Sequence, residues 1–254
     1  MAYAPRLLTL PADRPRLTRG LMLVLGAATT TAFAPLSLAL LAPFLLLPLL
    51  FVCLTQSPRE AGWHAFWFGM GLFLAGTYWI YISVVIFGQA PAWVALLLLA
   101  GLAVIMSMWL FLAGYLTSYL AHGEPLRLVA VAPAAWVLIE WLRGWVATGF
   151  PWLAYGYSQT GTPLAGWAPV GGVYSVSFAM VLGTAALLAA ILTRSRQRRT
   201  AAALVILPWL AGGLLWLADW TRPAGAGTPV TVTIVQAGLS QDRKWLPEMR
   251  QPTM

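Results

Sequence analysis

Residues 143–157 have the sequence RGWVATGFPWLAYGY and lie between two long apolar runs. Glycine and proline recur through this stretch, and both residues interrupt regular helices. Tyrosine and tryptophan favour a membrane–water boundary because each joins an apolar ring to a polar tip. The stretch therefore predicts a structured loop at a bilayer surface. Its helix breakers are Gly144, Gly149, Pro151 and Gly156, and its aromatic residues are Trp145, Phe150, Trp152, Tyr155 and Tyr157.

The composition of the chain indicates a polytopic α-helical membrane protein. Of its 254 residues, 60% are hydrophobic and 9% are charged, whereas soluble domains carry about 25% charged residues. The formal net charge of +8 does not indicate a nucleic-acid partner, because the basic residues cluster at the ends of apolar runs, as in membrane topology signals. A single cysteine, Cys53, excludes an internal disulfide framework and a multi-cysteine metal site. We expect neither a metal nor a cofactor.

Seven apolar runs predict about seven membrane-spanning helices within residues 1–220. The first run is short against the roughly 20 residues that a span requires. It therefore either extends back past Arg19 or forms a shallow hairpin with the second run. The predicted runs are 21–34, 36–54, 63–87, 92–120, 128–147, 170–193 and 201–220.

The distribution of Lys and Arg predicts the orientation, because cytoplasmic loops are enriched in them. Ten of the 15 basic residues fall on one side of the predicted spans and five on the other. We therefore expect a cytoplasmic N-terminus in a bacterial inner membrane, with residues 143–169 and everything after residue 220 in the periplasm. The larger group is Arg6, Arg14, Arg16, Arg19, Arg59, Arg127, Arg194, Arg196, Arg198 and Arg199; the smaller group is Arg143, Arg222, Arg243, Lys244 and Arg250.

The character of the sequence changes after residue 220. Residues 221–229 form a Pro/Gly-containing linker, and residues 230–236, VTVTIVQ, alternate and are rich in β-branched residues, which predicts a strand. An isolated strand is not stable without a sheet. We therefore expect residues 230–254 to begin a soluble α/β or β-rich domain that stops within its first element, and the chain to be a fragment.

Three segments resemble the bacterial apolipoprotein N-acyltransferase family: FLAGTYWIYISVVIFG (73–88), EWLRGWVATGFPWLAYGYSQ (140–159) and VTIVQAGLSQDRKW (232–245). The resemblance implies a helical membrane bundle followed by a periplasmic nitrilase-like αββα domain. It also implies transfer of an acyl chain from a phospholipid to the N-terminal amine of a diacylglyceryl-cysteine lipoprotein through a thioester. The Glu-Lys-Cys triad of the family lies beyond the last segment, so this chain is expected to be inactive alone.

Glu140 and Arg143 are charged residues within a predicted span. Their spacing of three residues puts them on one helix face. We expect either an ion pair that steadies the loop or a contact of Arg143 with a phospholipid headgroup, since a guanidinium matches phosphate geometry. Cys53, His64 and His122 are not expected to have catalytic or ligand roles, because each lies in or at the end of an apolar run.

The resemblance implies a substrate-binding role for aromatic residues of the loop. Trp152 is expected in a lipid-entry site, with Phe150, Pro151 and Tyr155 beside it. Trp245 is expected to pack against an acyl chain or the membrane domain, because a solvated turn does not require tryptophan. The expected partners are a phospholipid donor, a diacylated lipoprotein acceptor and membrane lipid.

A transporter and a non-catalytic membrane anchor are the alternatives to an enzyme. Transporters usually place ionisable groups near the bilayer midplane and often contain internal repeats. This sequence shows no repeat, and Glu140 and Arg143 lie toward one end of their span. A Glu, a Lys and a Cys within a nitrilase-like downstream sequence would favour the enzyme.

Overall fold

The computed structural model describes residues 14–218, 220, 230–236 and 238. Every regular element within these residues is helical. A π-helical turn, Ser83–Phe87, follows α4, and short 3-10 helices cover Thr30–Ala32, Val146–Thr148, Tyr155–Gln159 and Pro163–Trp167. The α-helices are α1 (Pro15–Thr29), α2 (Leu41–Thr55), α3 (Pro58–Gly76), α4 (Trp79–Ile82), α5 (Ala92–Ala121), α6 (Pro125–Arg143), α7 (Ala168–Leu192) and α8 (Ser195–Trp216).

Four helical runs are long and apolar enough to cross a bilayer. They are α5, α6, the run Pro163–Leu192 that contains α7, and most of α8. A fifth crossing results if α3 and the run Trp79–Phe87, which are bent by 44°, form one broken span. The structure therefore has the helices of a membrane protein, but the predicted number of seven spans is not confirmed.

The first two predicted spans are shorter than a bilayer. Helix α1 begins at Pro15 and so extends back past Arg19, which was one of the two alternatives. Helices α1 and α2 nevertheless contain 15 residues each. At 1.5 Å per residue each is about 22 Å long, against roughly 30 Å of hydrocarbon.

The predicted strand at residues 230–236 is not observed. These residues have no regular secondary structure, and their apolar side chains are exposed, Ile234 to 88%. A strand requires neighbouring strands, and the described part of the chain contains none. The predicted linker at residues 221–229 and Trp245 lie outside the described residues.

Glycine allows α1 and α3 to touch backbone to backbone. A Cβ added at Gly26 would lie 1.9 Å from the carbonyl oxygen of Phe68, and one at Gly71 would lie 1.9 Å from that of Leu23. Such close approach is typical of helices that pack in lipid. Helix α2 packs against this pair, and seven of its 15 residues are buried, including Cys53.

The bundle has two distinct ends. At one end, a 2.8 Å salt bridge between Arg19 and Glu60 joins the beginnings of α1 and α3, and the Gly123 N–H donates to Leu54 O at the end of α2. The other end, which we call the loop end, carries residues 144–167 between α6 and α7. The loop end therefore contains the aromatic stretch singled out in the sequence.

Candidate functional site

Helix α6 brings two charged side chains into the protein interior at the loop end. Glu140 is 5% exposed and Arg143 is 2% exposed. A buried charge is costly unless hydrogen bonds replace the water that it loses. The partners of these two side chains therefore define the site.

The Glu140 carboxylate accepts two hydrogen bonds on Oε1. The Trp136 indole Nε1–H donates from the preceding turn of α6 at 2.9 Å. The Tyr155 backbone N–H donates from the loop at 2.7 Å. The Tyr155 ring then packs edge-on against Trp136, with 5.0 Å between ring centroids. Glu140 thus attaches the part of the loop around Tyr155 to α6.

The Arg143 guanidinium holds the part of the loop around Phe150 and Trp152. Its Nη1 donates to the carbonyl oxygens of Phe150 and Trp152, each at 2.7 Å. The Phe150 N–H returns a bond to Arg143 O at 2.8 Å. The guanidinium also lies over the ring of Phe73 from α3, 5.3 Å from its centroid, a cation–π contact.

No salt bridge joins Glu140 and Arg143 among the residues that the structure describes. The structure thus gives no direct contact between the two charged groups, and the predicted ion pair and the predicted contact of Arg143 with a phospholipid headgroup stay predictions. Each side chain instead bonds to the backbone of the loop. The physical reason is that the loop folds back over α6 and presents carbonyl groups to the cation and an N–H group to the anion.

These bonds hold a backbone that would not keep its shape alone. Ala147, Thr148 and Leu153 have φ values of 53°, 73° and 59°, and each such left-handed residue costs about 1–3 kcal/mol. Gly149 has φ 77°, and a Cβ there would lie 2.0 Å from Gly144 O. The loop thus requires glycine at this position.

Two further hydrogen bonds tie the loop to its surroundings. The Gly156 N–H donates to Ser177 Oγ of α7 at 2.8 Å. The Gln159 side-chain Nε2 donates to Ala39 O at 3.0 Å, in the turn between α1 and α2. The loop is therefore attached to three separate parts of the bundle.

A cleft of about 520 Å³ opens beside the loop. Trp152 and Tyr157 form its rim and are 50% and 51% exposed. Trp152 stacks on Phe150, with 5.2 Å between ring centroids and 23° between planes, and lies 6.1 Å from Trp79. We call this the loop-end cleft; it is lined by Phe33, Ala34, Pro151, Trp152, Leu153, Tyr157 and Thr160.

The structure brings most of the sequence-predicted site residues together. Arg143 holds Phe150 and Trp152 by their carbonyl groups, and Pro151 lines the cleft with Trp152. Tyr155 is separate, because its side chain is fully buried against α6. Trp245 lies outside the described residues.

Sequence reasoning missed the opposite wall of the cleft. Phe33 and Ala34 come from the turn after α1, more than 100 residues before the loop. No local pattern links two segments so far apart. The available signal was that the connection between the first two apolar runs is itself apolar, which is unusual for a turn in water.

The loop-end cleft offers an aromatic and apolar surface at the end of a helical bundle. Within the described residues, no three His, Cys, Asp or Glu side chains form a group that could hold a metal ion. Apolar walls with aromatic rims suit a lipid chain whose polar head lies at the membrane boundary.

These features define a polytopic helical membrane protein with an apolar, aromatic-rimmed cleft at one end. Residues 25–186 match the family described as apolipoprotein N-acyltransferase N-terminal domain. The chain belongs to this family.

Apolipoprotein N-acyltransferases of three bacteria are similar to the chain. That of Chromobacterium violaceum is 41% identical over 226 residues, which cover 88% of this chain and 43% of the relative. That of Pseudomonas putida is 42% identical, covering 89% and 45%, and that of Methylococcus capsulatus is 38% identical, covering 90% and 45%. The chain thus spans less than half the length of these relatives.

The two bonds on Glu140 Oε1 predict different results for two substitutions. Glu140→Gln keeps one carbonyl oxygen that can accept from both Trp136 and Tyr155, whereas Glu140→Ala removes the acceptor and leaves buried donors unpaired, at a cost of about 1–3 kcal/mol. Hydrogen exchange of peptides covering residues 150–159 should therefore speed up clearly in the Ala variant and little in the Gln variant. Peptides from α5 serve as the internal control. Equal exchange in wild type and Glu140→Ala would show that the carboxylate does not hold the loop.

Proposed function

We propose that this chain is the membrane part of an apolipoprotein N-acyltransferase that acts in bacterial lipoprotein maturation. The reaction moves an acyl chain from a phospholipid to the N-terminal amine of a diacylglyceryl-cysteine lipoprotein through a thioester. Membership of the family and the names of the three relatives support the activity. The single structural observation that carries the proposal is the loop-end cleft beside Trp152.

The cleft suits the acyl donor by depth and by surface. The ester of a membrane phospholipid lies at headgroup depth, where tryptophan and tyrosine side chains are favoured. The ring of Trp152, which stacks on Phe150, and the side chain of Leu153 supply an apolar wall for the chain below that ester. Holding the ester in one place lowers the entropic cost of the reaction by several kcal/mol in general.

Glu140 and Arg143 act in this proposal as positioning residues. Both are buried and bonded to the loop backbone, so neither is placed to touch the reacting ester. Their role is to hold Trp152 and its neighbours in a fixed orientation. In this proposal Arg143 steadies the loop and does not contact a phospholipid headgroup, which its burial and its bonds to Phe150 O and Trp152 O support.

The covalent chemistry belongs to a soluble domain in this proposal. A cysteine thiolate attacks the ester carbonyl, the lysophospholipid hydroxyl leaves, and the lipoprotein amine then displaces the thiolate. Cys53 does not fit this role, since it is buried in α2. We propose that residues 1–220 form the membrane domain, that residues 230–254 begin the nitrilase-like domain, and that residues 1–254 alone do not catalyse the reaction.

The proposed orientation places the loop end in the periplasm and the N-terminus in the cytoplasm of an inner-membrane protein. The ten-to-five distribution of basic residues supports it. A membrane-impermeant thiol reagent added outside should therefore modify Gln89→Cys, which is exposed at the loop end, and leave Gln197→Cys unmodified until the membrane is opened. Peptide mapping identifies the modified residue. Labelling of Gln197→Cys alone in intact cells or spheroplasts would reverse the orientation.

The cleft predicts a selective effect of Trp152→Ala on acylation. Removal of the ring takes away an apolar contact worth about 1–3 kcal/mol, so single-turnover thioester formation by the full-length enzyme should slow by roughly 5- to 150-fold. Trp216→Ala is the matched control, because Trp216 is 54% exposed at the end of α8 and does not line the cleft. Wild-type rates in Trp152→Ala would make Trp152 a membrane anchor only, and equal losses in both variants would indicate a general effect of aromatic anchors.

A further inference from the structure

We propose that the turn between α1 and α2, residues 33–41, is immersed in the acyl chains of the leaflet at the loop end and does not emerge into water. Its partner is thus the hydrocarbon of the bilayer. This inference rests on the membrane-protein fold and is independent of the acyl-transfer reaction.

The turn does not reach the outermost level of the bundle. Helix α1 runs parallel to α3, since Arg19 pairs with Glu60 at one end and Gly26 packs against Phe68 further along. The offset of 41 to 42 residues between these pairs places Ala32, at the end of the 3-10 turn after α1, beside Phe73 or Leu74 in the last turn of α3. The turn therefore begins at the depth where α3 stops.

Helix α5 extends beyond that depth. It runs antiparallel to α3, and Gly69 packs against Ser107. Gly76 follows Gly69 along α3, and the same number of residues is counted back from Ser107 along the antiparallel α5. This count places Gly76 beside Gly101 or the residue before it. Helix α5 begins at Ala92, so it reaches about 12 Å further out at 1.5 Å per residue. The beginning of the turn lies below this level by a similar distance.

The side chains of the turn match hydrocarbon. Leu36, Leu38 and Leu40 are 62%, 50% and 62% exposed, and Phe44 just beyond them is 61% exposed. No charged residue occurs between Arg19 and Arg59. A continuous group of exposed large apolar side chains is unfavourable in water at about 25 cal/mol per Å², and acyl chains remove that cost.

Several polar groups of the turn and of the residues just before it are bonded internally. The Ser37 N–H donates to Phe33 O at 2.8 Å, and the Leu38 N–H donates to Thr31 O at 3.0 Å. The Thr30 and Thr31 hydroxyls donate back to carbonyl groups of α1, each at 2.7 Å. Internal bonding of this kind is what a hydrocarbon environment demands of a backbone, whereas a turn in water can leave such groups to solvent.

The immersed turn changes how the loop-end cleft is reached. Phe33 and Ala34 form one wall of that cleft. A second depression of about 700 Å³ lies between residues 37–41 and the segment around Thr162 and Trp209. With the turn at acyl-chain depth, both openings face the hydrocarbon sideways, and a chain enters without crossing water.

Depth-dependent fluorescence quenching tests the proposal. An environment-sensitive fluorescent amino acid is placed at Leu38 or Gln89 of the full-length protein in phosphatidylcholine/phosphatidylglycerol vesicles. Leu38 should be quenched by a nitroxide on the lipid acyl chain at least about twofold more strongly than by aqueous iodide, since hydrocarbon excludes ions. Gln89, at the outer connection between α4 and α5, should show the reverse order.

Two outcomes overturn the proposal. Iodide quenching at Leu38 equal to that at Gln89 would place the turn in water. Protection of Leu38 from both quenchers would show that protein covers it, either another part of the full-length chain or a second copy. If the Leu38 replacement does not fold, Leu36 carries the same measurement, because it is also exposed on the turn.

Discussion

The hydrogen bonds from Glu140 and Arg143 to the loop backbone are the interactions on which the site depends. Both side chains are buried at the end of α6, where an unpaired charge would be strongly unfavourable. The loop supplies the carbonyl groups of Phe150 and Trp152 and the N–H of Tyr155. The loop therefore hydrogen-bonds to Glu140 Oε1 and Arg143 Nη1, although Glu140 Oε2 and Arg143 Nε are buried without a partner among the described residues. The two charged side chains in turn hold left-handed residues such as Leu153 in place.

The same attachment explains why the cleft lies where it does. Arg143 fixes the backbone on either side of Pro151, so Trp152 points out of the bundle and its ring stacks on Phe150. Gln159 joins the loop to the turn after α1 through Ala39 O, which sets the distance between the two walls. A rigid loop on one side and an apolar turn on the other make a cleft suited to a lipid chain. In the proposed enzyme, the membrane part positions the donor and the soluble part performs the chemistry.

The sequence predicted the aromatic loop, the helical class and the bounds of α5 closely, because helix breakers and long apolar runs are local features. It also identified Glu140 and Arg143, since charges within a span are conspicuous. It did not predict their partners, because a spacing of three shows a shared helix face and not the carbonyl groups that fold over it. The wall at Phe33 depends on a contact between distant segments, and the strand expected at 230–236 requires neighbours for pairing.

Photo-crosslinking of lipid to the loop-end cleft tests most directly whether the buried charges create a lipid site. Full-length wild-type protein in membranes that contain a phospholipid with a photoreactive acyl chain should give adducts on Trp152, Leu153 and Tyr157. Glu140→Ala should lose those adducts and keep the adducts on Leu214, which is 70% exposed on α8. Cleft adducts that persist in Glu140→Ala, or their absence from wild type, would contradict the claim that the charged residues of α6 hold the loop as the wall of a lipid cleft.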